Sequence, residues 1–226
     1  MVIEPSTLLA KMVNSGDATS HVESYLTNQE GQVGEALVEI TDKKIDIAGL
    51  TERVAGTCPA AGAIATFIGT TRNYFGNREV TKLSYTTYTS MAIKEMLNIT
   101  KHIFASYEEV HRVVISHKIG DCPVGEASVF IAVATGHRQE GLEACGYAIN
   151  TLKAKVPVWK LEHYVDGTHS EGTQGCGAGG CGRKVKKDAS ECGGHAEKVG
   201  SVDEGAEELQ ATKWKRNGEC QYKPPS

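Results

Sequence analysis

Residues 167–211 (GTHSEGTQGCGAGGCGRKVKKDASECGGHAEKVGSVDEGAEELQA) hold a handful of aliphatic side chains and no aromatic one. A stretch with so little apolar surface to bury cannot offset the entropy lost on ordering its backbone. It is expected to be a flexible insertion, and that divides the 226-residue chain. The packed core must come from residues 35–166. Residues 212–226 are expected to rejoin that domain through Trp214 as a closing segment. Residues 1–34 are polar and weakly periodic. They are expected to form a disordered arm with one helical turn around 6–13.

Within 35–166 the apolar period switches repeatedly between two and 3.6, the marks of strand and helix. Residues 36–40 (ALVEI), 62–68 (GAIATFI), 80–88, 112–119, 128–134 and 158–165 read as strands. The run 128–134 is apolar on both faces, so it is expected to be central. Residues 46–55, 90–107 and 139–155 read as helices. Ser90 is expected to cap the second. Leu142, Cys145, Ile149, Leu152 and Val156 are expected to form the buried stripe of the third, and Pro157 stops it. Residues 120–125 read as a loop. Hairpins mixed with helices point to an α+β fold rather than a doubly wound parallel sheet.

Composition excludes several classes of function. The net charge of −4 supplies no basic field for non-specific nucleic-acid binding, so an anion site would have to be a local cluster of cations. No uncharged apolar run is long enough to span a bilayer. The first 26 residues carry Glu4, Asp17 and Glu23, lack an apolar stretch and contain no Arg. Neither a secretory signal nor a transit peptide is expected, and the cytosol is the expected compartment. There the seven cysteines would be reduced or metal-bound.

The candidate chemistry clusters between His137 and Glu162. His137 and Arg138 follow a buried strand and open a helix, where free backbone N–H groups and two cationic side chains favour an anion. Lys153 lies one turn beyond Ile149, near the buried stripe. Lys160 and Glu162 are two apart on a strand, so they share a face, and a carboxylate beside a lysine can hold the amine and tune it for proton transfer. Phe67 and Arg72 could add an apolar wall and a phosphate-binding fork. Each piece alone has a plainer reading: a solvated loop arginine, a surface ion pair, a core phenylalanine.

Two other patterns carry less. Residues 175–180 (GCGAGG) match the letters of a dinucleotide-binding loop, but no strand precedes them and no apolar helix follows. Cys176, Cys181, Cys192 and His195 could ligate zinc, yet they lack the paired C-x2-C spacing of a strong site. No metal or other cofactor is expected to be required. Cys58, Cys122 and Cys145 are scattered without a partner arrangement for nucleophilic catalysis, and Cys145 is expected in the core.

Four blocks bring these pieces together: 62–73 (GAIATFIGTTRN), 117–125 (HKIGDCPVG), 137–143 (HRQEGLE) and 147–162 (YAINTLKAKVPVWKLE). Through them, and through 214–220 at the end, the chain resembles the large catalytic subunit of molybdopterin synthase, in its eukaryotic form. The resemblance implies an α/β hammerhead-like domain with additional antiparallel β structure. It implies a homodimer of large subunits within a heterotetramer, with a small ubiquitin-like subunit at each end. The small subunit's C-terminal thiocarboxylate would supply sulfur to cyclic pyranopterin monophosphate, giving molybdopterin. The attacking sulfur would then come from the partner.

By position, the resemblance implies that Lys153 and Lys160 are the catalytic groups. It implies that Arg72, His137 and Arg138 bind the pterin and its phosphate. Phe67 and Ile149 would line the pocket, and Glu162 would sit beside the second lysine. Thr86 stands where the family carries a glutamate, and Ile149 where it often carries methionine. Two other functions are compatible with the residues: an inactive adaptor docking a ubiquitin-like partner, or a metal-binding protein centred on the insertion.

Overall fold

In a computed structural model of the chain, residues 7–14, 19–28, 31–56, 58–171 and 215–216 are described. A six-stranded sheet runs in the order β1-β2-β3-β7-β9-β4. Its strands are β1 (Thr7–Asn14), β2 (Ser20–Thr27), β3 (Val33–Thr41), β4 (Ala63–Thr70), β7 (Val110–Lys118) and β9 (Ala127–Thr135). All pairs are antiparallel except β3 with β7. A second sheet holds β5 (Tyr74–Phe75), β6 (Arg78–Thr87), β8 (Gly120–Pro123), β10 (Val158–Tyr164), β11 (His169–Glu171) and β12 (Lys215–Arg216). Three helices complete the described residues: α1 (Ile47–Ala55), α2 (Thr89–Ser106) and α3 (Arg138–Lys155). The α+β class read from the sequence holds.

Strand alternation divides the core in two. Val113, Ile115, Val129, Ile131 and Val133 point to the face covered by α2 and α3. Val114, Phe130, Ala132 and Ala134 point to the face covered by α1 through Val54, Ile47 and Leu50. The central strand β9 is buried at all nine positions, as its two-sided apolar run requires. Asp46 caps α1 by accepting a hydrogen bond from the Gly49 amide at 3.0 Å.

Several expectations are corrected. Residues 7–14 and 20–27, read as parts of a disordered arm with a helical turn, are strands that extend the sheet beyond β3. In β2 the inward positions are Val22, Ser24 and Leu26, all nearly fully buried. A serine in the middle of that row hides the alternation. The loop 120–125 contains β8, which pairs with β6 while burying Cys122 alone. Ser90 does not cap α2; the helix starts at Thr89 after an extended Tyr88, with no side-chain cap.

Leu142 is 65% exposed rather than part of the α3 stripe. That helix faces the sheet with Gly141, Ala144, Ala148, Ile149 and Leu152. A Cβ on Gly141 would fall 2.8 Å from Thr135 Oγ1, so the approach is too close for a larger side chain. Small residues set the packed face, and Leu142 is turned away from it. Residues 172–214 lie outside the described residues, and with them most of the expected insertion, its Cys176, Cys181, Cys192 and His195, and Trp214. Of the expected closing segment only β12 is described, paired with Trp159 and Lys160.

Candidate active site

The second sheet presents one line of polar side chains on β10. Lys160, Glu162 and Tyr164 alternate along the strand and share a face. Glu162 is only 3% exposed. A buried carboxylate is stable only when paired and hydrogen-bonded. Its Oε1 lies 3.4 Å from Lys160 Nζ, and its Oε2 accepts a hydrogen bond from the Tyr164 hydroxyl at 2.8 Å. The Lys160 side chain is partly exposed, so one end of the pair opens outward. Tyr85 sits opposite Lys160 in the β6–β10 ladder. Burial pushes its pKa up to about 12, against a hydrogen bond with Ser128 and with added repulsion from Cys122 and Glu162. It is a neutral phenol at physiological pH.

Lys153 lies exposed in the last turn of α3, near the start of β10. The Val156 amide caps the helix on the Leu152 carbonyl, and only Val156 and Pro157 separate α3 from β10. This short connection keeps Lys153 and Lys160 at one end of the domain. Lys153 and Lys155 also oppose the partial negative charge of the helix C-terminus, a structural role that needs no substrate.

Phe67 is half-buried on β4 and packs against the same cluster as Ile149. Arg72 is exposed just beyond the end of β4. Its backbone is pinned by Thr71, whose amide donates to the Glu126 carbonyl at 3.0 Å and whose carbonyl accepts from the Gly125 amide at 2.8 Å. The Thr71 hydroxyl donates to the Cys122 carbonyl at 3.2 Å. Thr86 is exposed opposite Trp159.

His137 and Arg138 are exposed at the other end of α3. The Thr135 hydroxyl donates to the His137 carbonyl at 2.8 Å, and His137 Nε2 lies 3.5 Å from Glu109 Oε2. At ~1.5 Å per residue, Arg138 stands about 22 Å from Lys153 along the helix axis. Arg72 is separated from His137 in the same way, because β4 begins against Thr135 and ends beside the Arg72 loop. The eight expected site residues therefore divide. Phe67, Ile149, Lys153, Lys160 and Glu162 stand toward the α3 C-terminal end with Arg72, whereas His137 and Arg138 stand apart.

Sequence reasoning missed Tyr85 and Tyr164. The period of two that paired Lys160 with Glu162 also reaches Tyr164, so that signal was present. Tyr85 carries no local signal, because its place opposite Lys160 depends on β6 lying beside β10. Burial pushes the Cys122 thiol up, and pushes Cys145 up to about 11, which disfavours their thiolates at neutral pH. No group of three or more His, Cys, Asp or Glu among the described residues is placed to hold a metal ion.

A family model described as MoaE protein matches residues 40–155. That span includes Phe67, Arg72, His137, Arg138, Ile149 and Lys153, and ends shortly before Lys160. The molybdopterin synthase catalytic subunit of Dictyostelium discoideum is 41% identical over 140 residues, covering 62% of this chain and 87% of the relative. Among solved structures, molybdopterin synthase from Staphylococcus aureus is similar with a TM-score of 0.54 and 29% identity, over 58% of this chain and 94% of that one. A complex of subunits 1 and 2 of molybdopterin-converting factor from Helicobacter pylori is similar in fold, with a TM-score of 0.50 and 19% identity over 61% of this chain and 90% of that one. The chain belongs to the MoaE protein family.

Proposed function

We propose that this chain is the catalytic subunit of a molybdopterin synthase. It transfers sulfur from the thiocarboxylated C-terminus of a small ubiquitin-like subunit to cyclic pyranopterin monophosphate. The observation that carries this reading is the buried Glu162 holding Lys160 beside the α3 terminus that presents Lys153, in a chain of this family. Burial disfavours the thiolates of Cys122 and Cys145, in keeping with a nucleophile that arrives on another protein.

In this mechanism Lys153 and Lys160 move protons at the reacting centre. They also stabilise the negative charge that develops as the thiocarboxylate is cleaved. Glu162 keeps the Lys160 amine in place. Phe67 and Ile149 exclude water from the pterin face, and Arg72 takes the substrate's anionic edge.

His137 and Arg138 cannot reach the same substrate from within one protomer. In a homodimer whose two-fold axis crosses α3 near its middle, the α3 N-terminus of one copy lies beside the α3 C-terminus of the other. We place these two residues in the site of the second copy, within a heterotetramer of two large and two small subunits. The Helicobacter pylori neighbour is itself a complex of two subunits. No helix among the described residues is long and apolar enough to cross a membrane.

The test is reconstitution with a thiocarboxylated small subunit and cyclic pyranopterin monophosphate. The wild-type chain yields molybdopterin, and Lys153→Ala abolishes it while the circular-dichroism spectrum stays native. Unchanged turnover by Lys153→Ala would sink the assignment. Partner binding without pterin binding or turnover would favour a docking adaptor. Stoichiometric metal, with loss of function on deleting 168–211, would favour a metal protein.

A further inference from the structure

We propose that Tyr164 is a positioning residue for sulfur transfer: its hydroxyl orients the Glu162 carboxylate, which in turn holds the Lys160 amine toward the substrate. This rests on the reading of Lys160 given under Proposed function. Glu162 is 3% exposed and offers two oxygens. The Tyr164 hydroxyl occupies Oε2 at 2.8 Å, which leaves Oε1 for Lys160 at 3.4 Å. Without the hydroxyl, the carboxylate could turn either oxygen toward the amine and would leave the other buried and unsatisfied. The lysine would then lose its fixed orientation.

Tyr164 is itself held from behind. The Arg78 guanidinium covers its ring, 3.5 Å from the centroid. Arg78 is anchored by Asp166 at 3.2 Å and by the Thr168 hydroxyl. A register shift falls between His163 and Tyr164, where β10 stops following β6 evenly. Irregularities of this kind re-aim a side chain. The Tyr164 amide donates to the Thr168 carbonyl at 3.1 Å, which closes a turn over that shift. The geometry thus runs without a break from the surface at Asp166, through Arg78, Tyr164 and Glu162, to Lys160.

The experiment uses the full chain reconstituted with thiocarboxylated small subunit and the pterin substrate. Tyr164→Phe keeps the ring and removes one hydrogen bond to a charged group. It is expected to lower kcat by about tenfold or more, with KM for the pterin little changed. Glu162→Gln lowers kcat as well. The double variant is expected to be no slower than Glu162→Gln alone, because both changes break one unit. A hydroxyl that acted independently of Glu162 would give losses that multiply. Arg78→Gln, which releases the ring without touching the buried pair, is expected to lower kcat in the same direction and supplies the test if Tyr164→Phe fails to fold. Wild-type kcat in Tyr164→Phe, or multiplying losses in the double variant, overturns the proposal. Lys160→Ala with full turnover would instead overturn the function reading on which it rests.

Discussion

A site split between two copies should be restorable by mixing two dead ones. Arg138 and Lys153 sit at opposite ends of α3, about 22 Å apart at ~1.5 Å per residue. No single pterin monophosphate spans that distance. If one copy supplies Lys153 and the other Arg138, Arg138→Ala and Lys153→Ala each inactivate both sites of a homodimer. Random mixing of equal amounts makes about half of the dimers mixed. In each mixed dimer one site inherits both intact residues and the other inherits both substitutions. The mixture should therefore recover about a quarter of wild-type molybdopterin synthesis. The assay is turnover after co-refolding or co-expression of the two variants with differently tagged chains, normalised to total dimer. Activity no greater than that of the separate variants, with mixed dimers shown to form, would refute the two-copy arrangement.

His117 makes stability depend on pH. It is 1% exposed, its Nδ1 donates to the Lys118 carbonyl at 2.7 Å, and burial pushes its pKa down to about 4. The unfolded imidazole titrates near ~6.5, so between there and about 4 the unfolded chain binds the extra proton and stability falls as pH falls. The loss is at most roughly 3 kcal/mol. Urea unfolding at neutral pH and near pH 4.5 should show it, and His117→Gln should reduce the difference; an unchanged slope in the variant would contradict the assignment. Asp46→Ala removes the α1 cap and should cost about 1 kcal/mol, read as a shift in urea midpoint at constant slope. Leu142→Ser should change stability little, because Leu142 is largely exposed; a loss comparable with that of a buried leucine would restore it to the core.

The strands that bury one clean apolar row were legible in the sequence, as was β9 with two. The elements that escaped are those held by backbone pairing more than by side chains. β8 buries only Cys122, and β2 places Ser24 in its inward row. The stripe of α3 was legible through Cys145, Ile149, Leu152 and Val156, and only Leu142 was misplaced, because Gly141, Ala144 and Ala148 fill the rest of the packed face. The Lys160–Glu162 pair was visible in the strand period. Tyr85 was not, because its place depends on which strand lies beside β10. The separation of His137 and Arg138 from the lysines was also hidden. Adjacent sequence blocks can mark opposite ends of one helix, and the spacing says nothing about which copy completes the site.

The central claim is that sulfur reaches the pterin from the partner's C-terminus while this chain positions and polarises the reactants. The most direct measurement uses a small subunit whose thiocarboxylate carries heavy sulfur, with mass analysis of the molybdopterin formed. Both dithiolene sulfurs should carry the label, with no product from the plain carboxylate form or from Lys153→Ala. Unlabelled sulfur in the product, or synthesis without the thiocarboxylate, would contradict the account.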